Sequence, residues 1–222
     1  VALDTDEIFT LVENIGRPRS FVAVSDTLIA VADNVHHVVS LVDAESGEVT
    51  PLAGLADQPG FADGEGDGAR FNAPAGIVLR SDGILVVADS GNRRLRLVTP
   101  EGAVSTLAGE GSSGSVDGPG NDASFVRPRA LAIDEDDNVY VSDDGAHRIR
   151  RVDADGEVLT VAGAGGDSNA FQDGSGSEAR FAGQEGLALS ADGKILYVAD
   201  GNGGAEVDTE LEFHRIRRVH LP

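Results

Sequence analysis

The chain has 222 residues, with 17 Lys and Arg against 38 Asp and Glu, for a formal net charge of −21. Its 41% hydrophobic content is enough for a packed core, and no apolar run approaches the ~18 residues of a membrane-spanning helix. A surface this acidic repels nucleic-acid phosphates and anionic lipid, and the absence of Cys excludes disulfides, thiolate metal sites and Cys nucleophiles.

The chain opens on Val1 and contains no Met, so a processed or trimmed segment is expected. In chain order, Asp6–Val12 comes first and reads as a solitary strand. The run Thr27–Asp33 then returns as Gly83–Asp89, Asn138–Asp143 and Lys194–Asp200, with closing aspartates 56, 54 and 57 positions apart. Pro18, Pro74 and Pro128 keep step with these runs, Gln184 standing in the fourth copy. Ala-Gly pairs close the units at Gly54, Gly109 and Gly163.

Each unit predicts four short strands. In the third unit they fall at Ala130–Asp134, Asn138–Ser142, His147–Val152 and Glu157–Ala162, divided by Asp- and Asn-rich turns. The run Ile84–Ala88 is apolar on both sides of its pleat, so its sheet must be covered on both faces. Sheets packed face to face around an axis meet that need. The sequence therefore predicts an all-β fold, a β-propeller of four four-stranded blades of about 55 residues each. It is read as one domain over 1–222, with repeats near 14–54, 55–109, 110–163 and 164–222. The last unit stops at its third strand, His214–His220, whereas Asp6–Val12 matches the fourth strand Gly156–Ala162. The N-terminal strand is thus expected to complete the last blade and close the ring. Pro51 falls in an outer strand, where a missing N–H donor is tolerated.

The segment from Pro74 through Val87-Ala-Asp89, Asn92, Arg94 and Arg96 resembles an NHL repeat. Val104–Gly109 and the spacer Asp117–Phe125 resemble the long variant of that repeat. The likeness extends over nearly the whole chain. It implies a propeller, and a role among RNA binders, protein or glycan binders and a few metal-dependent enzymes. NHL propellers usually have six blades. The alternatives here are a four-bladed ring, a piece of a larger ring, or two chains forming eight blades, and closure by residues 6–12 favours the first.

Asp33, Asp89, Asp143 and Asp200 end the second strands. Each can accept N–H bonds from the turn that follows, and four of them on one rim would also suit a cation or cationic ligand. Repeat spacing alone explains them, which favours turn capping. With Asn92 they remain ligand-face candidates. The spacer Asp63-Gly-Glu65-Gly-Asp67-Gly68 opens like a calcium loop, but Pro74 stands where the bidentate Glu belongs. No cofactor is expected, with calcium on Asp63, Glu65 and Asp67 as the alternative. His37, His147 and His214 share one repeat position with Arg93, which favours structural repetition over the three-histidine metal centre of amidating-lyase relatives.

One feature breaks the repeat. Four positions separate Asp89 from Arg93 and Asp143 from His147, but fourteen separate Asp200 from His214. The insertion carries Glu206, Asp208, Glu210 and Glu212, and long loops on a rigid scaffold are where function is often placed. Arg94, Arg96, Arg148, Arg150, Arg151, Arg215, Arg217 and Arg218 lie on third strands and are expected to pair with carboxylates. Aromatic residues make up only 5%, too few for a base-stacking RNA face.

The reading that results is a non-catalytic interaction module, presenting an acidic loop face to a protein, peptide or glycan. No nucleophile–base–orienter set is recognisable. The alternative is a divalent-metal-dependent hydrolase or lyase resembling gluconolactonase-type propellers, with Asp89, Asn92, Asp143 and Asp200 turned inward. No nucleic-acid or membrane partner is expected. A monomer is expected, with a homodimer as the alternative. The acidity, with Lys194 as the only Lys, suits an extracellular or periplasmic setting.

Overall fold

Four antiparallel sheets, one for each sequence unit, form a four-bladed β-propeller with almost no helix. The structure is a computed structural model and describes residues 10–13, 15–166, 171–201 and 215–221. Blade 1 holds β1 (Pro18–Ala23), β2 (Leu28–Asp33), β3 (Val38–Asp43) and β4 (Val49–Ala53). Blade 2 holds β6 (Pro74–Leu79), β7 (Leu85–Asp89), β8 (Arg94–Val98) and β9 (Ala103–Ala108). Its outer edge is extended by the two-residue β5 (Gly64–Glu65) from the spacer. Blade 3 holds β10 (Pro128–Ile133), β11 (Val139–Asp143), β12 (Arg148–Val152) and β13 (Val158–Ala162). In blade 4 the described strands are β14 (Gln184–Leu189), β15 (Ile195–Asp200) and β16 (Arg215–His220).

The all-apolar second strands are explained by the cores between blades; among the described residues three are seen, between blades 1 and 2, 2 and 3, and 3 and 4. Leu85 and Val87 face blade 1, in a core with Ala30, Val39 and Phe71, while Val86 and Ala88 face blade 3, beside Val141 and Phe125. Tyr140, Ile149, Phe181 and Leu196 fill the third core. A strand between two such cores has no polar face to alternate with its apolar one.

The first strands pack in sequence around the axis, β1 beside β6, β6 beside β10 and β10 beside β14. At one end of the ring, the first residue of each inner strand pairs with the aspartate closing the next strand: Pro18 with Asp33, Pro74 with Asp89, Pro128 with Asp143 and Gln184 with Asp200. This register gathers the strand-exit aspartates, the turns after them and the inner-strand starts at one end, the axial mouth.

Third strands start one residue later than the sequence suggests. His37, Arg93 and His147 sit in the left-handed region, with φ of 60°, 55° and 55°, and the strand follows. Of the expected closing strand 6–12, residues 6–9 lie outside the described residues. The Leu11 carbonyl packs against Gly47 in the β3–β4 turn, as the Leu52 and Leu107 carbonyls pack against Gly102 and Gly156. Leu11 thus stands where a fourth-strand residue of the preceding blade stands elsewhere in the ring.

Candidate functional site

The strand-exit aspartates tie the axial mouth together. Asp33 accepts from the N–H groups of Arg17, Val35 and His36 and lies 2.8 Å from His36 Nδ1. Burial pushes its pKa up, but these donors outweigh burial and hold it below the usual carboxylate range. Asp89 accepts from Asn72 N–H and, at 2.8 Å, from Asn92 Nδ2. Asp143 accepts from the N–H groups of Val126 and Arg127, and Asp200 from those of Ala182 and Gly183. In each blade the bond reaches back to the segment entering the inner strand, so the carboxylate fixes where that strand begins.

Three of the four aspartates also face an arginine from the third strand. Arg96 lies 2.8 Å from Asp89, Arg150 3.5 Å from Asp143, and Arg217 3.1 Å from Asp200. The same guanidinium groups reach spacer aspartates, Asp63 at 2.6 Å, Asp117 at 2.6 Å and Asp173 at 3.1 Å. Spacer carbonyls of Ala62, Val116 and Gln172 accept from them, each at 2.8 Å. Phe71, Phe125 and Phe181 lie under the guanidinium planes at 5.3, 5.2 and 4.6 Å. Arg96 and Arg150 have no exposed side-chain surface. Burial raises the Asp89 pKa, against the pull of Asn72, Asn92 and Arg96. It raises that of Asp143 to about 6, with Asp144 adding to the rise while Arg127 N–H and Arg150 oppose it.

Asp63 of the spacer is thus engaged by Arg96, and Glu65 lies in β5 on the outer edge of blade 2. Asp67 lies in a 3-10 turn, Gly66–Gly68, where its carbonyl accepts from Arg70. Among the described residues, no group of three or more His, Asp and Glu side chains is placed to hold a metal ion. His37 Nδ1 accepts from Ala73 N–H at 2.9 Å and links blade 1 to blade 2. His214, Glu206, Asp208, Glu210 and Glu212 lie outside the described residues. The insertion leaves the sheet after Asp200 and returns at Arg215, which pair in register at the mouth end.

Sequence reasoning missed the arginines at that mouth. Arg17 and Arg19 flank Pro18, and Arg127 and Arg129 flank Pro128. Blade 2 has Ala73 and Ala75 around Pro74, and blade 4 has Gly183 and Glu185 around Gln184. The signal was present as Arg-Pro-Arg in two of four copies at an anchor already recognised by its proline. All four arginines line a cavity of about 440 Å³ with Asn34 and Ser90. Arg19 and Arg129 also line an axial cavity of about 300 Å³, together with Glu185. Asp144, almost fully buried, holds Arg127 at 2.6 Å and Arg129 at 3.4 Å, and Glu185 holds Arg129 at 2.5 Å. Desolvation and the charges of Arg129, Arg17 and Arg127 lower the Arg19 pKa, with Glu185 acting in the opposite sense.

The family described as "Phytase-like: Esterase-like activity of phytase" matches residues 14–220. The chain belongs to this phytase-like family. Among curated proteins, this phytase-like propeller is 34% identical over 146 residues to human NHL repeat-containing protein 2, covering 60% of the chain and 20% of that protein. It is 31% identical over 143 residues to Protein SUPPRESSOR OF QUENCHING 1, chloroplastic, of Arabidopsis thaliana, covering 59% of the chain and 14% of that protein. The chain therefore spans a fifth or less of the length of these relatives. The NHL-repeat character read from Pro74–Arg96 is shown by this likeness and by the bladed fold. Among solved structures, a Bacteroides thetaiotaomicron protein of unknown function superposes with a TM-score of 0.71 at 20% identity, over 92% of this chain and 47% of that one. An auxiliary nutrient binding protein from the same organism gives 0.64 at 19% identity, over 90% and 48%.

Proposed function

We propose that this propeller is a non-catalytic binding module that engages a protein, peptide or glycan at its axial mouth. The observation that carries the reading is the commitment of the strand-exit carboxylates. Asp33, Asp89, Asp143 and Asp200 each accept backbone N–H bonds, and three of them also face an arginine. A general base or metal ligand needs lone pairs free for the reacting groups, and on these carboxylates several acceptor sites are already engaged. The likeness to auxiliary nutrient binding proteins and to NHL-repeat proteins supports a binding role. Rigid scaffolds with long loops at one end are suited to presenting such a surface.

The family description favours a second reading, ester hydrolysis. The described residues do not gather a metal-holding group, so no metal-assisted step is derived from them. Immobilised protein screened against glycan and peptide arrays tests the first reading. Binding that is saturable and lost when residues 202–213 are replaced by a short turn supports it. Turnover of carboxylic or phosphoric ester substrates by the same preparation, with or without added divalent ions, overturns it.

A further inference from the structure

The formal charge of −21 makes the axial mouth an anomaly. Four guanidinium groups, those of Arg17, Arg19, Arg127 and Arg129, converge on one concave surface. Among the described residues, the carboxylates in salt-bridge contact with them are two, Asp144 and Glu185. Both of those are spent on Arg127 and Arg129. Among the described residues, Arg17 and Arg19 have no carboxylate partner, and Arg19 instead feels three other arginines. Like charges held this close cost free energy in the empty protein, and an anion between them would recover it. In direct side-chain contact, four guanidinium groups meet two carboxylates, while the strand-exit aspartates of this end are engaged by backbone N–H groups and, in three blades, by third-strand arginines.

The fold holds these side chains in place. Pro18 and Pro128 start the inner strands, and their fixed φ sets the direction in which the flanking arginines leave the ring. The N–H groups of Arg17 and Arg127 are bound by Asp33 and Asp143, so both backbones are anchored. Asp144 then orients Arg127 and Arg129 from beneath, its side chain only 3% exposed. Arginine forks arranged this way match the paired oxygens of tetrahedral and planar oxyanions.

We propose that the axial mouth is an anion site, in which Arg17 and Arg19 from blade 1 and Arg127 and Arg129 from blade 3 hold one compact dianion. Phosphate, sulfate and short dicarboxylates share this chemistry. The site rests on the binding-module reading and deepens it by naming the group that the partner presents. Asp144 is a positioning residue, acting through Arg127 and Arg129.

The test is calorimetric titration of the full chain with phosphate, sulfate and malonate in separate arms, at ionic strength held constant with NaCl. Saturable binding of one ion per chain is expected in at least one arm, and the arm that binds tightest assigns the source. Arg19→Ala and Arg17→Ala should each weaken it about tenfold, as loss of a charge-assisted contact does. Arg218→Ala, an exposed arginine on β16, should leave it unchanged. Thermal melts of each variant confirm that the fold is kept. Binding that is absent, or that Arg19→Ala and Arg218→Ala affect alike, overturns the site. Array binding that persists without anion binding would sink this proposal and leave the module reading standing. Anion binding accompanied by ester turnover would do the reverse.

Discussion

The propeller uses arginine in two places under opposite conditions. Arg96 and Arg150 are removed from water, each between two aspartates and over a phenylalanine ring, with spacer carbonyls on the remaining donors. At the axial mouth, four arginines line an open cavity, and among the described residues only Arg127 and Arg129 have carboxylate partners. The first set joins a spacer to the blade it precedes. Blade 1 shows the dependence: only residues 13–17 stand between the Leu11–Val12 strand position and Pro18, and Ser40 stands where Arg96 and Arg150 stand in blades 2 and 3. Charge that is matched and buried belongs to the architecture, whereas charge that is unmatched and exposed is available to a ligand.

Breaking the buried arrangement should have the largest effect. Arg96→Met removes the guanidinium but keeps much of its volume, leaving Asp89 buried without a cation. Losing one partner of a buried pair costs about 3–5 kcal/mol, read as a lower denaturation midpoint in urea. Adding Asp89→Asn should restore part of the loss, because the stranded charge is then gone. A single-variant loss below about 1 kcal/mol would mean that the spacer, not the ion pair, holds the blade.

Asp143 offers a pH-dependent version of the same contrast. It faces Arg150 at 3.5 Å, the adjacent Asp144, and the N–H groups of Val126 and Arg127, and burial raises its pKa from 3.8 to about 6. A carboxyl with a raised pKa binds its proton more tightly in the folded state. Its contribution therefore favours folding below pH ~4, declines as pH rises to ~6 and is constant above, for about 3 kcal/mol in all. The lowered pKa values of Asp33 and Asp117 act in a different window, losing stability as pH falls below the usual carboxylate range. Comparing unfolding free energies of the protein and Asp143→Asn from pH 4 to 7 checks this. The difference between the two should change across that range, and a constant difference would assign the slope elsewhere.

The fold was legible because its signals repeat. Closing aspartates, leading prolines and doubly apolar strands each fix a register, and three agreeing registers leave little freedom. The spacer resisted reading for a physical reason. Asp63-Gly-Glu65-Gly has the composition of an ion loop, and only the fold brings Arg96, 33 positions away, to Asp63. The mouth was missed for the opposite reason. A repeated proline draws attention to what the copies share, whereas the arginines of the mouth lie in what the copies do not share. The Arg-Pro-Arg of blades 1 and 3 against Ala-Pro-Ala of blade 2 is a departure from symmetry as informative as the long insertion.

A third change tests whether the mouth depends on backbone position. Gly76 on β6 lies so close to β10 that an added Cβ would collide with the Arg129 carbonyl and the Leu131 side chain. Gly76→Ala should push the two inner strands apart at a cost of about 1–3 kcal/mol. It alters no charge. A weakened phosphate or sulfate titration in this variant would show that spacing between the arms, not charge alone, sets the affinity.

The smallest stability effect is expected where the functional effect should be greatest. Arg17 is exposed and has no ion pair among the described residues, so Arg17→Ala removes no buried contact. Its backbone N–H to Asp33 survives the substitution, because alanine keeps that donor. Surface changes of this kind usually stay within about 0.5 kcal/mol. Removing one of four crowded cations also relieves repulsion on Arg19, which pulls the effect towards zero or slightly above it. A melt shifted by several degrees would mean that Arg17 is structural after all and that the division between matched and unmatched arginines fails at this position. An unchanged melt would free the anion titration of the same variant from any folding artefact, since a loss of affinity could then come only from the mouth.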